Sequence, residues 1–537
     1  VSVTAHSIAS HADGFAATTP VQTSAGAVVG FVKEGVRRFL GIPYAAPAGG
    51  ENRYLPPKPV EPWTGVREAF AYGDVAVQQR NYHPRYAVEG VESEDCLSLN
   101  VWAPEEVSDA TLLPVFVFFH GGGYMSGAGS VATYAGDIWA RRGVVAVTMN
   151  YRLANLGYLY LDELFDELSD TGVLGALDAA AGLKWVHDNI AAFGGDPQRV
   201  TIAGSSAGGG QVNTLLGMPH ARRYFQQAAP ISIGEFPTTR GPEHAAEVRS
   251  AATASARVFL DYLDVEPGDL AALRQVPAEK FKVTAELFAH YQQAGVPLTI
   301  TPVPGSPSYP EHYFTALERG DAKDIVLMSG VCLDEFGGRH TEAVSAQEAL
   351  RYQDVPMPRP KYGEPLDLAS LFPAASAPSA EEITATYKAA LDEAGRPSED
   401  VDIYLAALTD AVMLSTHTLR LQYQAAHNPS TYAFLFAWPS PMHGGILGAF
   451  HGVPTPMLFG RVDDPAWATV IGDEPPFSLG EEYFDAFVSF VSSGVPSAPG
   501  NREWPAYDLT SRSTMVFAAE SHTESNPLGD RLRMHGL

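Results

Sequence analysis

Cysteine is nearly absent from this chain of 537 residues: Cys96 and Cys332 are its only two. Two thiols so far apart provide no disulfide framework, so the fold must rest on a hydrophobic core. Basic residues are scarce as well, with 35 Lys plus Arg against 62 Asp plus Glu, a formal charge of 35 − 62 = −27. That balance argues against nucleic acid as the main partner, because phosphate binding needs a basic footprint, and it opposes anionic membrane surfaces. Long apolar runs are missing too: stretches such as Leu112 to Phe119 fall far short of the ~20 residues of a membrane helix. Residues 1–20 are small and polar, without a signal-peptide core. No repeat with a period of about 20–50 residues is present, which excludes a solenoid. The expectation is a large, acidic, soluble protein, cytoplasmic or secreted after loss of a leader.

What the chain does have is apolar content of 45%, enough for a large core. Over the first 230 residues or so, short apolar runs alternate with amphipathic stretches, the rhythm of an α/β sheet. Leu113–Phe119, Val144–Met149 and Arg199–Ala203 read as buried strands. Between the last two, Leu174, Leu177, Ala181 and Trp185 recur at helical spacing, and Phe193-Gly194-Gly195-Asp196-Pro197 ends that helix. Strand-like runs return at Ile325–Met328, Tyr432–Trp438 and Thr514–Ala518. Residues 235–320 read as helical and loop-rich, and the proline-rich stretch 351–380 as a surface excursion. The simplest organisation is a single domain over 1–537, with cap insertions near 235–320 and 337–410.

Chemistry is concentrated after the first and third strands. Gly204-Ser205-Ser206-Ala207-Gly208 follows a strand and precedes a helix-like stretch, the context of a nucleophile elbow. There the flanking glycines let strand and helix approach closely, and the Ser206 hydroxyl projects above the sheet; a helix-capping serine is the plainer reading, and Ser205 the alternative nucleophile. His120-Gly121-Gly122-Gly123 directly follows the first strand. Gly122 and Gly123 can aim backbone N–H groups at one point and, with the N–H of Ala207, form an oxyanion hole. One such donor is worth about 3 kcal/mol to a transition state. A phosphate loop would end in Gly-Lys-Ser/Thr, which this one does not.

With these motifs the chain resembles the type-B carboxylesterases, the cholinesterase-like and para-nitrobenzyl-esterase-like α/β-hydrolases. The likeness also rests on Gly41-Ile42-Pro43-Tyr44-Ala45, Arg53-Tyr54, Glu94-Asp95-Cys96-Leu97-Ser98-Leu99-Asn100-Val101-Trp102, Asn150-Tyr151-Arg152-Leu153, Ser206-Ala207-Gly208-Gly209 and Trp504-Pro505-Ala506-Tyr507, in family order. It implies an α/β-hydrolase fold with a large, mostly parallel central sheet flanked by helices. It places the acid on Glu335, with neighbouring Asp334 as competitor, and the base on His451, with His443 as rival. The order Ser206…Glu335…His451 is that of the α/β-hydrolases. Ion pairs Arg53–Glu94 and Arg152–Asp178 follow from the resemblance as structural features.

Departures are specific. Ser205 stands where the family usually has Glu, Pro454 replaces another acidic residue, and Phe336 replaces the Gly after the acid. Cys96 lacks its usual partner, with Ala76 near that position, and residues 77–95 hold no Trp for a choline site. The resemblance therefore implies a general serine esterase, not a cholinesterase, acting on a small-molecule ester through an acyl-enzyme without metal or organic cofactor. Ser205 and Ser232 would stand behind the triad, and Tyr124, Phe236, Phe336 and His443 would line the pocket. An amidase or lactonase with the same triad, or a non-catalytic binding protein on the same fold, are the competing functions.

Overall fold

The computed structural model describes residues 15–79, 84–106, 111–235, 244–337, 368, 371–372, 378–445, 447–497 and 503–537. The chain forms two units, Val1–Ala228 with Ala245–Ala316, and Ala229–His244 with Leu317–Leu537.

In the first unit, strands β1 (Ala16–Ala17), β2 (Phe31–Lys33), β3 (Val36–Pro43), β4 (Ser98–Pro104), β5 (Leu113–Phe119), β6 (Val145–Met149) and β7 (Gly195–Ser205) lie in the order β1-β2-β3-β4-β6-β5-β7. Pairing is antiparallel from β1 to β4 and on to β6. β5 then runs parallel between β6 and β7. β6 is buried throughout and β5 from Pro114 onward, which is why both read as continuous apolar runs without alternation. β7 starts four residues before the expected Arg199. Its register shifts between Gly195 and Val200, and the donor-less Pro197 sits in that irregularity.

Helix α1 (Leu174–Asn189) occupies the predicted span and gives way to a 3-10 turn that closes on Gly194 in the left-handed conformation. α1 supplies Asp178, which takes the Arg152 guanidinium through two bonds of 2.7 Å and the Arg152 backbone N–H at 3.0 Å. Both side chains are almost fully buried. This pair fixes the loop that leaves β6 to the helix behind it. Arg53 and Glu94 form the second expected pair, at 2.8 and 2.6 Å. Ala76 and Cys96 line a small cavity beside that pair, and both cysteines are buried free thiols. Helix α2 (Ala207–Gly217) follows β7, and helices Ala245–Tyr262, Leu270–Gln275 and Ala285–Ala294 complete this unit's larger elements.

Strand β8 (Gln227–Ile231) carries the chain into the second unit. There β9 (Val326–Cys332), β10 (Thr431–Phe436) and β11 (Ser513–Phe517) pair parallel, and β12 (His522–Ser525) closes antiparallel on β11. All three expected late strands are present, the first extended to Cys332. Helix α3 (Ala380–Glu393) opens on a capping box made by Ser379 and Glu382. The buried Asp410 accepts two bonds from Arg531, at 2.7 and 2.6 Å, and one from Tyr387 at 2.8 Å. Most of the stretch 351–380 lies outside the described residues. Among the described residues no helix is long and apolar enough to cross a membrane.

Removing one partner of a buried ion pair leaves an uncompensated charge. Asp178→Asn is therefore expected to lower stability by about 3–5 kcal/mol. Denaturant unfolding of the two proteins measures the difference, and a loss under about 1 kcal/mol contradicts this account.

Candidate active site

Ser206 sits between β7 and α2 with φ 59° and ψ −131°, a conformation that side-chain-bearing residues rarely adopt. Such backbone costs on the order of 1–3 kcal/mol and persists only where its surroundings enforce it. Here they do. The Ser206 carbonyl accepts the Gly210 N–H at 3.0 Å, starting the helix, while its side chain makes no capping bond. The plainer reading of a capping serine is thereby removed. A Cβ on Gly208 would stand 2.0 Å from the Phe119 carbonyl oxygen, so only glycine lets α2 approach the end of β5 this closely.

Parallel pairing brings the second motif to the same place. Gly204 lies opposite Phe119 in the β5–β7 register, so the loops that leave these strands emerge together. A Cβ on Gly121 would lie 3.2 Å from Ser206 Cβ. Gly122 has φ 118°, and a Cβ there would meet the Ser126 carbonyl at 2.1 Å. The loop is anchored by His120, which is buried and stacked on Tyr151 with ring centroids 4.4 Å apart, while the Tyr151 hydroxyl donates to the His120 carbonyl at 2.6 Å. His120 Nδ1 lies 2.9 Å from the Gly121 carbonyl, which can only accept, so the proton is on Nδ1. Burial, only partly offset by that carbonyl, pushes the imidazole down to about 4, which keeps the ring neutral.

Beside Ala207 stands an apolar wall of Tyr124, Met125, Tyr158 and Ile300, flanked by Val283 and Leu298. Tyr124 is packed against Tyr158 with centroids 4.8 Å apart and is nearly buried. The Met125 methyl group would lie 3.3 Å from a Cβ on Gly123. Met125, Tyr158 and Ile300 went unnoticed in the sequence; the position of Met125, two residues after Gly123, is the one available signal.

In the second unit the same device recurs. Cys332 at the end of β9 lies opposite Phe436 at the end of β10, and the turns beyond them carry Glu335 and His451. Glu335 is 2% exposed. Its Oε2 accepts from His451 Nδ1 at 2.6 Å, and its Oε1 accepts the Cys332 backbone N–H at 2.7 Å. The His451 N–H donates to the Glu335 carbonyl at 3.2 Å. The competing Asp334 points elsewhere: its carboxylate accepts the Ala449 N–H at 2.9 Å and pairs with Arg396. Cys332 also escaped sequence reading as a neighbour of Glu335. Burial first, and then the Glu335 charge, hold its thiol well above the ordinary range.

The remaining candidates are placed as follows. Ser205 ends β7 and is half-buried. Ser232 is buried at φ 48°, with its hydroxyl 3.7 Å from Cys332 Sγ, so it reaches the Glu335 turn through the thiol. Phe336 packs at the edge of the cluster that holds Val331, Tyr387 and Leu391. Phe236 lies outside the described residues, as does the side chain of His443, whose backbone belongs to the 3-10 turn Met442–Gly445. Pro454 caps the short helix Thr455–Leu458. Among the described residues no three His, Cys, Asp or Glu side chains are grouped to hold a metal.

Comparison with known proteins gives the family. Residues 17–534 match the model of the Carboxylesterase family. The para-nitrobenzyl esterase of Bacillus subtilis is 33% identical over 518 residues, 95% of this chain and 97% of that protein. The phenmedipham hydrolase of Pseudarthrobacter oxydans is 30% identical over 516 residues, 94% of this chain and 96% of that one. Among solved structures, a carboxylesterase of Geobacillus stearothermophilus superposes with a TM-score of 0.78 at 32% identity, covering 96% of this chain and all 100% of its own. With the family model spanning nearly its whole length, this chain belongs to the carboxylesterase family: it has the α/β-hydrolase fold and is a serine hydrolase of carboxylic esters.

Proposed function

We propose that ester cleavage in this enzyme runs through Ser206 as nucleophile, His451 as general base and Glu335 as the carboxylate behind it. The observation that carries this reading is the 2.6 Å contact between His451 Nδ1 and Glu335 Oε2. A carboxylate on Nδ1–H fixes the tautomer, leaves Nε2 unprotonated as the base, and stabilises the imidazolium that forms. His451 takes the Ser206 proton as Oγ attacks the ester carbonyl. The oxyanion rests on the N–H groups of Gly122, Gly123 and Ala207, and the alcohol leaves with the proton from His451. Water then attacks the acyl-serine by the same route, giving the acid and free enzyme.

His120, although part of the glycine motif, is unsuited to be the base: it is buried, its proton is on the nitrogen facing Gly121, and its Nε2 has no polar partner among the described residues. Its work is to hold the loop. The apolar wall beside Ala207 supports esters with an apolar or aromatic group next to the reacting carbonyl. The para-nitrobenzyl esterase relative is in keeping with an aromatic ester.

Three expectations follow. Ser206→Ala should lose at least about 10³-fold in kcat and take up no organophosphate, read by mass spectrometry; labelling of another serine would sink the nucleophile assignment. Glu335→Gln, close to isosteric, should lose on the order of 10³- to 10⁴-fold in kcat by disturbing the tautomer. Across a panel varying acyl and alcohol size independently, kcat/KM should rise with apolar groups and fall for anionic ones.

His120 sets a pH dependence of stability. Its folded value of about 4 lies below the ordinary value of about 6.5, so the unfolded chain takes up the proton first as pH falls. Stability is then lost progressively from about pH 6.5 to 4, by up to about 3 kcal/mol. His120→Gln should flatten the plot of unfolding free energy against pH over that window. An unchanged slope would contradict the burial of a neutral imidazole.

A further inference from the structure

Asp334 and Glu335 are adjacent carboxylates at the end of one strand, and only Glu335 faces the imidazole. Asp334 is joined to the loop carrying His451 by its backbone and its side chain together. Its N–H donates to the Ala449 carbonyl at 3.1 Å, its Oδ2 accepts the Ala449 N–H at 2.9 Å, and it forms an isolated bridge with Phe450, the residue before His451. Gly448 is pressed against the same carboxylate: at φ 63°, a Cβ there would stand 2.3 Å from Oδ2. Backbone and carboxylate of Asp334 together thus hold the three consecutive residues immediately before His451.

The other oxygen, Oδ1, pairs with the Arg396 guanidinium. Arg396 lies just beyond α3, and its own N–H donates to the Leu391 carbonyl at 2.9 Å, which ties it to the end of that helix. α3 is seated by Ile383, Tyr387 and Leu391 in the cluster that also contains Val331 of β9. With 11% of the Asp334 side chain exposed, its negative charge is largely withdrawn from water; Arg396 is the cation in direct contact with it, and Arg531 acts on it from farther away.

We infer that Asp334 is a positioning residue for His451, and that Arg396 makes its grip depend on the seating of α3. The inference rests on the assignment of His451 and Glu335 under Proposed function. Without Arg396, a largely enclosed carboxylate loses its paired cation, turns toward water and releases the Ala449 N–H. The loop then relaxes, the imidazole shifts, and the proton transfer slows while contacts to the substrate stay as they were. Displacements of about 1 Å at a reacting group cost on the order of 100-fold.

The test compares Asp334→Ala and Arg396→Ala with the parent, with active sites counted by stoichiometric organophosphate titration so that kcat refers to folded, competent enzyme. The expected result is a fall in kcat per titrated site of roughly 10- to 100-fold for Asp334→Ala and about 3- to 10-fold for Arg396→Ala, with KM within about 2-fold in both. The double variant should be no slower than Asp334→Ala alone, because both act through one carboxylate. Parent kcat per titrated site in Arg396→Ala overturns the proposal, as does a purely thermal effect in which melting temperature falls and kcat holds. If Asp334→Ala does not fold, the half-exposed Arg396 decides alone. Glu335→Gln serves as reference: if it keeps the parent kcat, the triad assignment has failed and not this inference.

Discussion

The backbone of Ser206 is the constraint on which the turn between β7 and α2 depends. A residue held at φ 59° and ψ −131° is not stable by itself; it is kept there by a strand on one side and a helix on the other. The helix can start at Ala207 only because Gly208 lies against the Phe119 carbonyl, and the Phe119 carbonyl is there only because β5 runs parallel to β7 in a fixed register. Burial of β5 and β6 therefore does more than stabilise the fold. It sets where a hydroxyl and a glycine loop emerge.

The same logic governs the carboxylate and the histidine. β9 and β10 are parallel neighbours, and their ends deliver Glu335 and His451 into contact. Next to them, Asp334 spends its oxygens on a backbone amide and an arginine. Two carboxylates of similar intrinsic acidity thus differ in what surrounds them. One is presented to an imidazole and a single amide, the other is pinned by a loop and a cation. Beside Glu335 the turn holds the Cys332 thiol, with the Ser232 hydroxyl behind it.

Much of this was legible in the sequence for identifiable reasons. β5 and β6 are buried on both faces, so they announce themselves as unbroken apolar runs, and the elbow follows because its glycines are a steric necessity. The early strands β1 to β4 are harder to read. They are short or interrupted by Arg37, Arg38 and Asn100, and their stability comes from pairing with distant segments. The start of β7 was obscured by Pro197, which marks a break in most contexts and here sits in a register shift. At the site, Glu335 needed the family resemblance, since an Asp-Glu pair looks the same in any loop. What separates the two acids, the Ala449 amide and Arg396, lies 115 and 62 residues away along the chain. Ile300 joins Tyr124 and Ala207 through a tertiary packing that no local pattern encodes.

The two lone cysteines have a use that their chemistry does not suggest. Each unit contains one, Cys96 in the first and Cys332 in the second, and both are sealed from solvent at about 1% exposure. A thiol so enclosed reacts with an alkylating reagent only in the moments when its surroundings open. The pair therefore forms a built-in gauge. The labelling rate of each cysteine under native conditions reports the free energy of opening around it, and a difference between the two rates would show that the segments around Cys96 and Cys332 open independently.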